Sequence, residues 1–345
     1  MPSASRVPHM FLRNYWYAAA WGHELGGKPV AKRVLDQPVA LIRTGNGVAA
    51  FDDCCPHRMA PLSLGTIQGD TIACGYHGLR FDCAGTCVEI PGQSNIPPRL
   101  RVKTYPAVER WKLVWLWMGE PAQADEAAIP ELPWLASEQW GYSHGTIPYE
   151  CGVELLVDNL MDLSHTTYVH RNTIGTDAVA QTPVKSTLDG DVVRVERQMY
   201  DTEPSIMYRK AGGFTGKVDR WQKIAFHPPY NIIIDAGAVP VGTNDKSKGI
   251  DTRIINILTP ETDRRTLHFW AFARDFAVRD PGMTKMIGDF LVTTFNEDAG
   301  IIAGQQDNLA ARSERDLLSV NADAGVVSAR RVINRLLSAE AAGRA

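Results

Sequence analysis

Cys55-Pro56-His57 is followed further along the chain by Cys74-Gly75-Tyr76-His77, so two short segments each offer one thiol and one imidazole. These ligand types suit zinc as well as iron with sulfide, and residue type alone leaves both open. Spacing separates them. Zinc sites more usually take two Cys from one loop and two His from another. One of each per loop is what a [2Fe–2S] cluster needs when two Cys hold one iron and two His the other. Pro56, Pro61, Gly65, Gly75 and Gly78 allow the tight turns that aim backbone N–H groups at sulfur. The candidate cluster ligands are therefore Cys55, His57, Cys74 and His77. Cys54, Cys55, Cys74, Cys83 and Cys87 fall in one stretch and only Cys151 lies apart, a clustering that favours metal ligation over disulfides in a long chain with no expected signal segment. Cys54 reads as a spectator, and Cys83, Cys87 and Cys151 as small buried side chains.

A second group begins at Asn159-Leu160-Met161-Asp162-Leu163-Ser164-His165 and continues to His170. On one continuous helix, Asn159, Asp162 and His165 share a face. His165 and His170 do not, because five residues at about 100° each leave them roughly 140° apart. For both to reach one ion, the helix must end or bulge near Thr167. A third ligand is sought on a later helix, where Asp298 falls in a stripe with Ile287, Leu291, Phe295, Ile302 and Gln305. A carboxylate among apolar side chains needs a counter-charge. Its neighbour Glu297 is expected to point aside into solvent. His165, His170 and Asp298 would form the two-His, one-carboxylate triad that leaves positions on non-haem Fe(II) open for dioxygen.

The elements that must hold these residues fall into two unlike parts. Residues 1–120 show short extended runs (39–43, 48–52, 71–74, 112–118) broken by Gly and Pro, as in a small β domain. Residues 121–140 begin with a Pro-, Ala- and acid-rich tract that reads as a linker. Residues 141–345 carry a helix over 153–168, strands over 192–199, 220–226, 231–235, 253–258 and 266–274, and helices over 281–311 and 326–342. The expected class is α+β, an all-β domain followed by an antiparallel sheet flanked by helices. Charge and hydropathy exclude other roles. With 36 Lys+Arg against 39 Asp+Glu, the net charge of −3 offers no broad field for nucleic acid or an anionic membrane. Neither a signal-like apolar segment nor an 18-residue apolar run is present, so the expected location is the cytoplasm.

Both cysteine–histidine boxes and their separation resemble the Rieske iron–sulfur domain. Ala60 stands where membrane-complex Rieske proteins carry an additional loop Cys, which points to the soluble oxygenase type. From Phe11-Leu12-Arg13-Asn14 through Val157-Asp158-Asn159-Leu160-Met161-Asp162 to Leu258-Thr259-Pro260-Glu261-Thr262, the chain resembles the large subunit of Rieske non-haem iron oxygenases. The resemblance is to the branch containing vanillate and dicamba O-demethylases and toluenesulfonate methyl-monooxygenases. It implies a Rieske [2Fe–2S] cluster, a mononuclear Fe(II) and a head-to-tail homotrimer. Asp162 would bridge His165 to His77 of the partner subunit, with Asn159 in a supporting or structural role. The implied reaction uses O2 and electrons to oxidise an aromatic substrate, foremost O-demethylation of a methoxyarene with release of formaldehyde. Arylmethyl or ring hydroxylation and N-dealkylation are alternatives, and an electron carrier without mononuclear iron is the non-enzyme alternative. Trp270, Asn231, Asn256 and Ile232 are candidate pocket residues. Neither a plant-type ferredoxin cysteine set nor a Gly-rich dinucleotide fingerprint is present, so a separate NAD(P)H-dependent flavin and iron–sulfur reductase is implied.

Overall fold

The computed structural model describes residues 11–243, 245–312 and 317–343. It divides into two compact units, one formed by Phe11–Glu131 with Thr259–Thr262 and the other by Leu132–Leu258 with Asp263–Ala345. The division falls inside the segment 121–140, which carries short 3-10 turns at Pro121–Gln123, Glu126–Ala128 and Pro133–Leu135. That segment is not a free linker: Trp16 Nε1 donates to the Asp125 carbonyl at 2.8 Å, and Arg110 pairs with Glu131.

The N-terminal unit is built from short strands: β1 (Trp16–Trp21), β2 (Val30–Val34), β3 (Gln37–Thr44), β4 (Gly47–Asp52), β5 (Thr66–Gln68), β6 (Thr71–Ala73), β7 (Arg80–Phe81), β8 (Cys87–Glu89), β9 (Thr104–Tyr105), β10 (Ala107–Arg110) and β11 (Leu113–Trp117). They form three sheets, ordered β1-β11-β10, β2-β3-β4-β9 and β5-β6-β7-β8. Strand β11 is buried along its whole length, as its unbroken LVWLW run requires. Thr259–Thr262 complete this unit from far along the chain. Leu35 and Asp36, both at positive φ in the turn between β2 and β3, donate their N–H groups to the carbonyls of Pro260 and Glu261 at 2.9 Å.

The second unit holds a seven-stranded antiparallel sheet. Its strands are β12 (Gly141–Tyr149), β13 (Lys185–Asp189), β14 (Val192–Thr202), β15 (Val218–His227), β16 (Asn231–Pro240), β17 (Ile250–Thr262) and β18 (Arg265–Arg274), in the order β12-β18-β17-β16-β15-β14-β13. β17 is the strand that ends in the N-terminal unit. Directly paired residues share a face, and the register builds rows across the sheet. One row is Val195–Ile224–Ile234–Ile254, and the next is Arg197–Gln222–Ala236–Thr252. The helices are α1 (Val153–Met161), α2 (Thr166–Val169), α3 (Asp177–Gln181), α4 (Ile206–Gly212), α5 (Pro281–Ala311) and α6 (Ala324–Ala342).

The helix expected over 153–168 is in fact two. α1 stops at Met161, and Asp162 takes extended angles (φ −89°, ψ 118°) as its C-cap. The Asp162 side chain then accepts the Ser164 N–H at 2.6 Å, a local bond that competes with helix continuation. The expected break near Thr167 thus falls earlier, at Asp162, and Thr167 lies within α2, a single turn between His165 and His170. α5 runs unbroken over its expected span, capped by Asp280, whose side chain accepts from Gly282 and Met283 N–H groups. Gln305, however, is exposed and does not extend the buried stripe.

Gly175 locks the chain after α2. Its N–H donates to the His170 carbonyl at 2.8 Å, and a Cβ there would sit 2.5 Å from the Thr166 oxygen and 3.0 Å from that of His170. Gly175→Ala is expected to cost about 1–3 kcal/mol of overpacking. Urea unfolding should register that loss, together with reduced iron retention as His170 shifts.

Candidate functional site

The cluster loops are near copies of each other. Cys55 N–H donates to the Ala60 carbonyl and Met59 N–H to that of Cys55, both at 2.8 Å. In the second loop, Cys74 N–H donates to Leu79 at 2.8 Å and Gly78 N–H to Cys74 at 2.9 Å. The equivalent turn residues both lie at positive φ, Met59 at 58° and Gly78 at 73°. Cys55 and Cys74 are buried, while His57 and His77 are exposed with ring centroids 4.7 Å apart. Burial pushes the Cys55 thiol up to about 11, although the backbone N–H groups of His57 and Arg58 favour its thiolate. Two adjacent buried thiols beneath two exposed imidazoles fit a two-iron cluster, which supplies the positive charge their ionisation needs. Cys83 departs from its expected burial: it is exposed, with Sγ 3.1 Å from the Asp70 carbonyl.

In the second unit, His165 and His170 stand at the two ends of the single turn α2, and both reach Asp298 of α5. One donor atom from each of His165, His170 and Asp298 lies within 4.8 Å of the others. His170 Nε2 is 3.2 Å from Asp298 Oδ2, and His165 Nε2 is 3.7 Å from Asp298 Oδ1. Asn159 Nδ2 donates to Asp298 Oδ1 at 3.1 Å, so α1 fixes the carboxylate. Such a cluster, with two neutral nitrogens and one oxygen converging, fits one non-haem iron.

The outer ring nitrogens both face carboxylates, that of His170 in a hydrogen bond and that of His165 at a longer distance. His170 Nδ1 lies 2.8 Å from Glu297 Oε2, which accepts the Thr173 hydroxyl at the same distance. Glu297 is therefore not turned into solvent as expected. The tight turn that closes α2 carries His170 and Thr173 together against Glu297. Donating Nδ1–H to a carboxylate leaves Nε2 free for metal. Burial disfavours charge on His170, but Asp298 and Glu297 outweigh it and raise its pKa. The same two carboxylates would stabilise a cation there. His165 Nδ1 is 3.4 Å from Asp162 Oδ2. Burial would raise the Asp162 carboxyl, yet hydrogen bonds from the His165 side chain and from Ser164 hold it at about 2, fully ionised at neutral pH.

A cavity opens beside this group, between the sheet and helices α1, α2, α4 and α5. The sheet contributes alternate residues, as its pleat dictates: Arg220, Gln222 and Ile224, then Ile234 and Ala236, then Thr252, Ile254 and Asn256, then Phe272. Leu291, Thr294, Phe295 and Asp298 of α5 face them.

Residues 15–106 match the Rieske [2Fe-2S] domain and residues 149–339 the vanillate O-demethylase oxygenase C-terminal domain. The toluene-4-sulfonate monooxygenase system iron-sulfur subunit of Comamonas testosteroni is 39% identical over 97% of this chain and 100% of its own. The chain belongs to the vanillate O-demethylase family of Rieske oxygenases. A vanillate O-demethylase oxygenase subunit of a Pseudomonas species is 36% identical over 96% of both chains. Solved dicamba monooxygenase structures share the fold. One, bound to 3,6-dichlorosalicylic acid, has TM-score 0.92 and 34% identity over 96% of this chain and 99% of that one. Another, with non-heme iron and dicamba, has TM-score 0.85 and 32% identity with the same coverage. This Rieske oxygenase accordingly uses a [2Fe–2S] cluster and a mononuclear iron.

Of the four expected pocket residues, only Asn256 lines the cavity of this Rieske oxygenase. Ile232 shares that face in the Val193–Phe226–Ile232–Asn256 row but is not part of the wall. Trp270 packs against Phe295, ring centroids 5.8 Å apart, within the core. Asn231 lies on the opposite face of β16, its Nδ2 3.4 Å from the Pro228 carbonyl. Sequence reasoning missed His268, which binds Asn256 Oδ1 at 2.9 Å and which burial holds neutral by lowering its pKa to about 3. It also missed Arg220 and Gln222. Their signal was present: they interrupt the parity of Val218, Ile224 and Phe226 on β15.

Glu297→Gln keeps the shape but removes the charge opposite His170. Losing such an outer partner typically costs about 10–100-fold in metal affinity. Iron titration of the variant should show a drop of that order with the cluster absorbance unchanged.

Proposed function

We propose that this terminal oxygenase removes the methyl group of a methoxyarene as formaldehyde, with Cys55, His57, Cys74 and His77 as cluster ligands and His165, His170 and Asp298 as iron ligands. One observation carries the reading: a two-His, one-carboxylate group opens into a mostly apolar cavity in a chain that also holds the paired Cys/His loops. When bound, the cluster supplies electrons and the iron activates dioxygen. The chain's own residues do the rest. Ile224, Ile234, Ile254, Phe272 and Leu291 shed water and hold an aromatic ring. Glu297 and Thr173 orient His170, and Asp162 orients His165. Hydroxylation of the methoxy carbon gives a hemiacetal that separates into a phenol and formaldehyde, consuming one O2, two electrons and two protons and releasing one water.

The relatives named as oxygenase subunits or components of multicomponent systems imply a separate electron-donating partner. We assign it as an NAD(P)H-dependent flavin and iron–sulfur reductase. A homotrimer accounts for how charge reaches the iron. His57 and His77 are exposed beside exposed Met59, Leu64 and Tyr76, a surface suited to docking, and Asp162 presents a part-exposed carboxylate beside His165. His77 of the partner subunit would donate to that carboxylate. No helix among the described residues is long and apolar enough to cross a membrane.

The toluenesulfonate relative favours a second reading, oxidation of an arylmethyl group to a benzylic alcohol. Methoxybenzoates, arylsulfonates and chlorinated aryl ethers, supplied with a surrogate reductase, decide between them. Demethylation requires formaldehyde equal to the oxygen consumed; a benzylic alcohol without formaldehyde refutes it. Asp162→Asn should retain both iron centres by iron and sulfide analysis, yet lower substrate-dependent oxygen uptake by about 10–100-fold.

A further inference from the structure

Three buried arginines of the second unit are held very differently. Arg274 Nη2 donates to the carbonyls of Ala277 and Asp280 and to the Thr284 hydroxyl. Arg197 donates to the Leu163 carbonyl at 3.3 Å and feels the charge of Asp162. Arg220, 2% exposed, donates from Nη1 to the Thr176 hydroxyl at 3.2 Å and is held by Tyr208, whose hydroxyl hydrogen-bonds it and whose ring lies 4.8 Å from its guanidinium carbon; both partners are neutral. Its Nε has no hydrogen-bond partner, which is true also of Arg197 Nε and of Arg274 Nε and Nη1; what sets Arg220 apart is its place in the cavity wall, and among the described residues it is in no ion pair with a carboxylate. An uncompensated buried guanidinium costs several kcal/mol, and the like charge of Arg197 adds to that cost.

This guanidinium lines the cavity that opens at His165, His170 and Asp298. Gln222, two residues along the same face, also lines it; its buried Oε1 has no partner, so nothing holds the amide in this orientation and its rotation presents the donor Nε2 instead. The strand-paired residues opposite are small, Ala238 for Arg220 and Ala236 for Gln222, which leaves room in front of both side chains. The isoleucine row beside them is apolar. The cavity therefore has a cationic, amide-bearing end and an aliphatic middle.

We propose that Arg220, aided by the Gln222 side-chain amide, binds an anionic substituent, carboxylate or sulfonate, on the aromatic substrate and so sets which carbon faces the iron. The proposal rests on this cavity being the substrate site. A planar guanidinium can donate two parallel hydrogen bonds to such an anion, and the ion pair supplies the counter-charge that the protein withholds. The isoleucine row then takes the ring. Arg220 acts here as a specificity residue; Thr176 and Tyr208 hold its side chain in place.

Calorimetric titration of the purified full-length protein tests this with 4-methoxybenzoate, 4-toluenesulfonate and neutral methyl 4-methoxybenzoate. The wild type should bind the anions at least tenfold more tightly than the ester. Arg220→Met should weaken the anions by about 10–100-fold and the ester by less than twofold, with unchanged iron content. Arg220→Lys, which keeps the charge but not the fork, should fall between. Binding of only one anion identifies that group as the ligand. Equal wild-type affinity for ester and anions, no measurable anion binding, or equal loss of all three ligands in both variants overturns the proposal. Arg220-dependent anion binding without formaldehyde would leave the anchor standing and defeat demethylation instead.

Discussion

The iron centre depends on α1 ending at Asp162. The break lets α1, which carries Asn159, and the separate turn α2, which carries His165 and His170 at its two ends, all converge on Asp298. The break is local chemistry: the Asp162 carboxylate takes the N–H groups of Ser164 and His165, which a helix would have directed to backbone carbonyls. The residue that ends the helix thereby also faces His165 Nδ1. One carboxylate thus sets the course of the backbone and the orientation of the imidazole it faces.

α5 answers with two consecutive acids. Successive helical residues diverge by about 100°, so Glu297 and Asp298 approach His170 from two sides, one at each ring nitrogen. A ring held at both nitrogens has little freedom to rotate. Asn159 secures Asp298 from α1, and Tyr149 donates to the Phe295 carbonyl one turn earlier on α5. The result is a preorganised donor set carried by helices and braced by the sheet.

Much of this was legible from residue order, for reasons that differ by residue. The cluster loops are local in sequence, so their spacing displays their chemistry directly. Asp298 was visible as a carboxylate within an apolar stripe on a long helix. Glu297 was not, because a helical wheel assumes one packed face, whereas the turn that closes α2 brings His170 against a second. Strand alternation left open both the face that meets the iron and the position along the strand: Asn231 and Ile232 are consecutive and so lie on opposite faces, and Ile232 and Trp270 sit beyond the cavity wall. β12 went unrecognised because GYSHGTIPY carries Gly145 and Pro148, yet Gly145 is what admits the Trp270 indole of the paired strand. Arg220 was missed although it stands as a charge among the inward positions of β15, beside Val218, Ile224 and Phe226.

Thr259–Thr262 belong to the N-terminal unit although well over a hundred residues separate them from Glu131. The positive-φ turn at Leu35 and Asp36 takes its acceptors from Pro260 and Glu261, and Thr259 donates its hydroxyl to the Ala18 carbonyl on β1. During synthesis the last acceptors of the first unit emerge only after residues 132–258 of the second have been translated. A gene cut after residue 131 would encode a fragment without Thr259–Thr262 and the hydrogen bonds they supply.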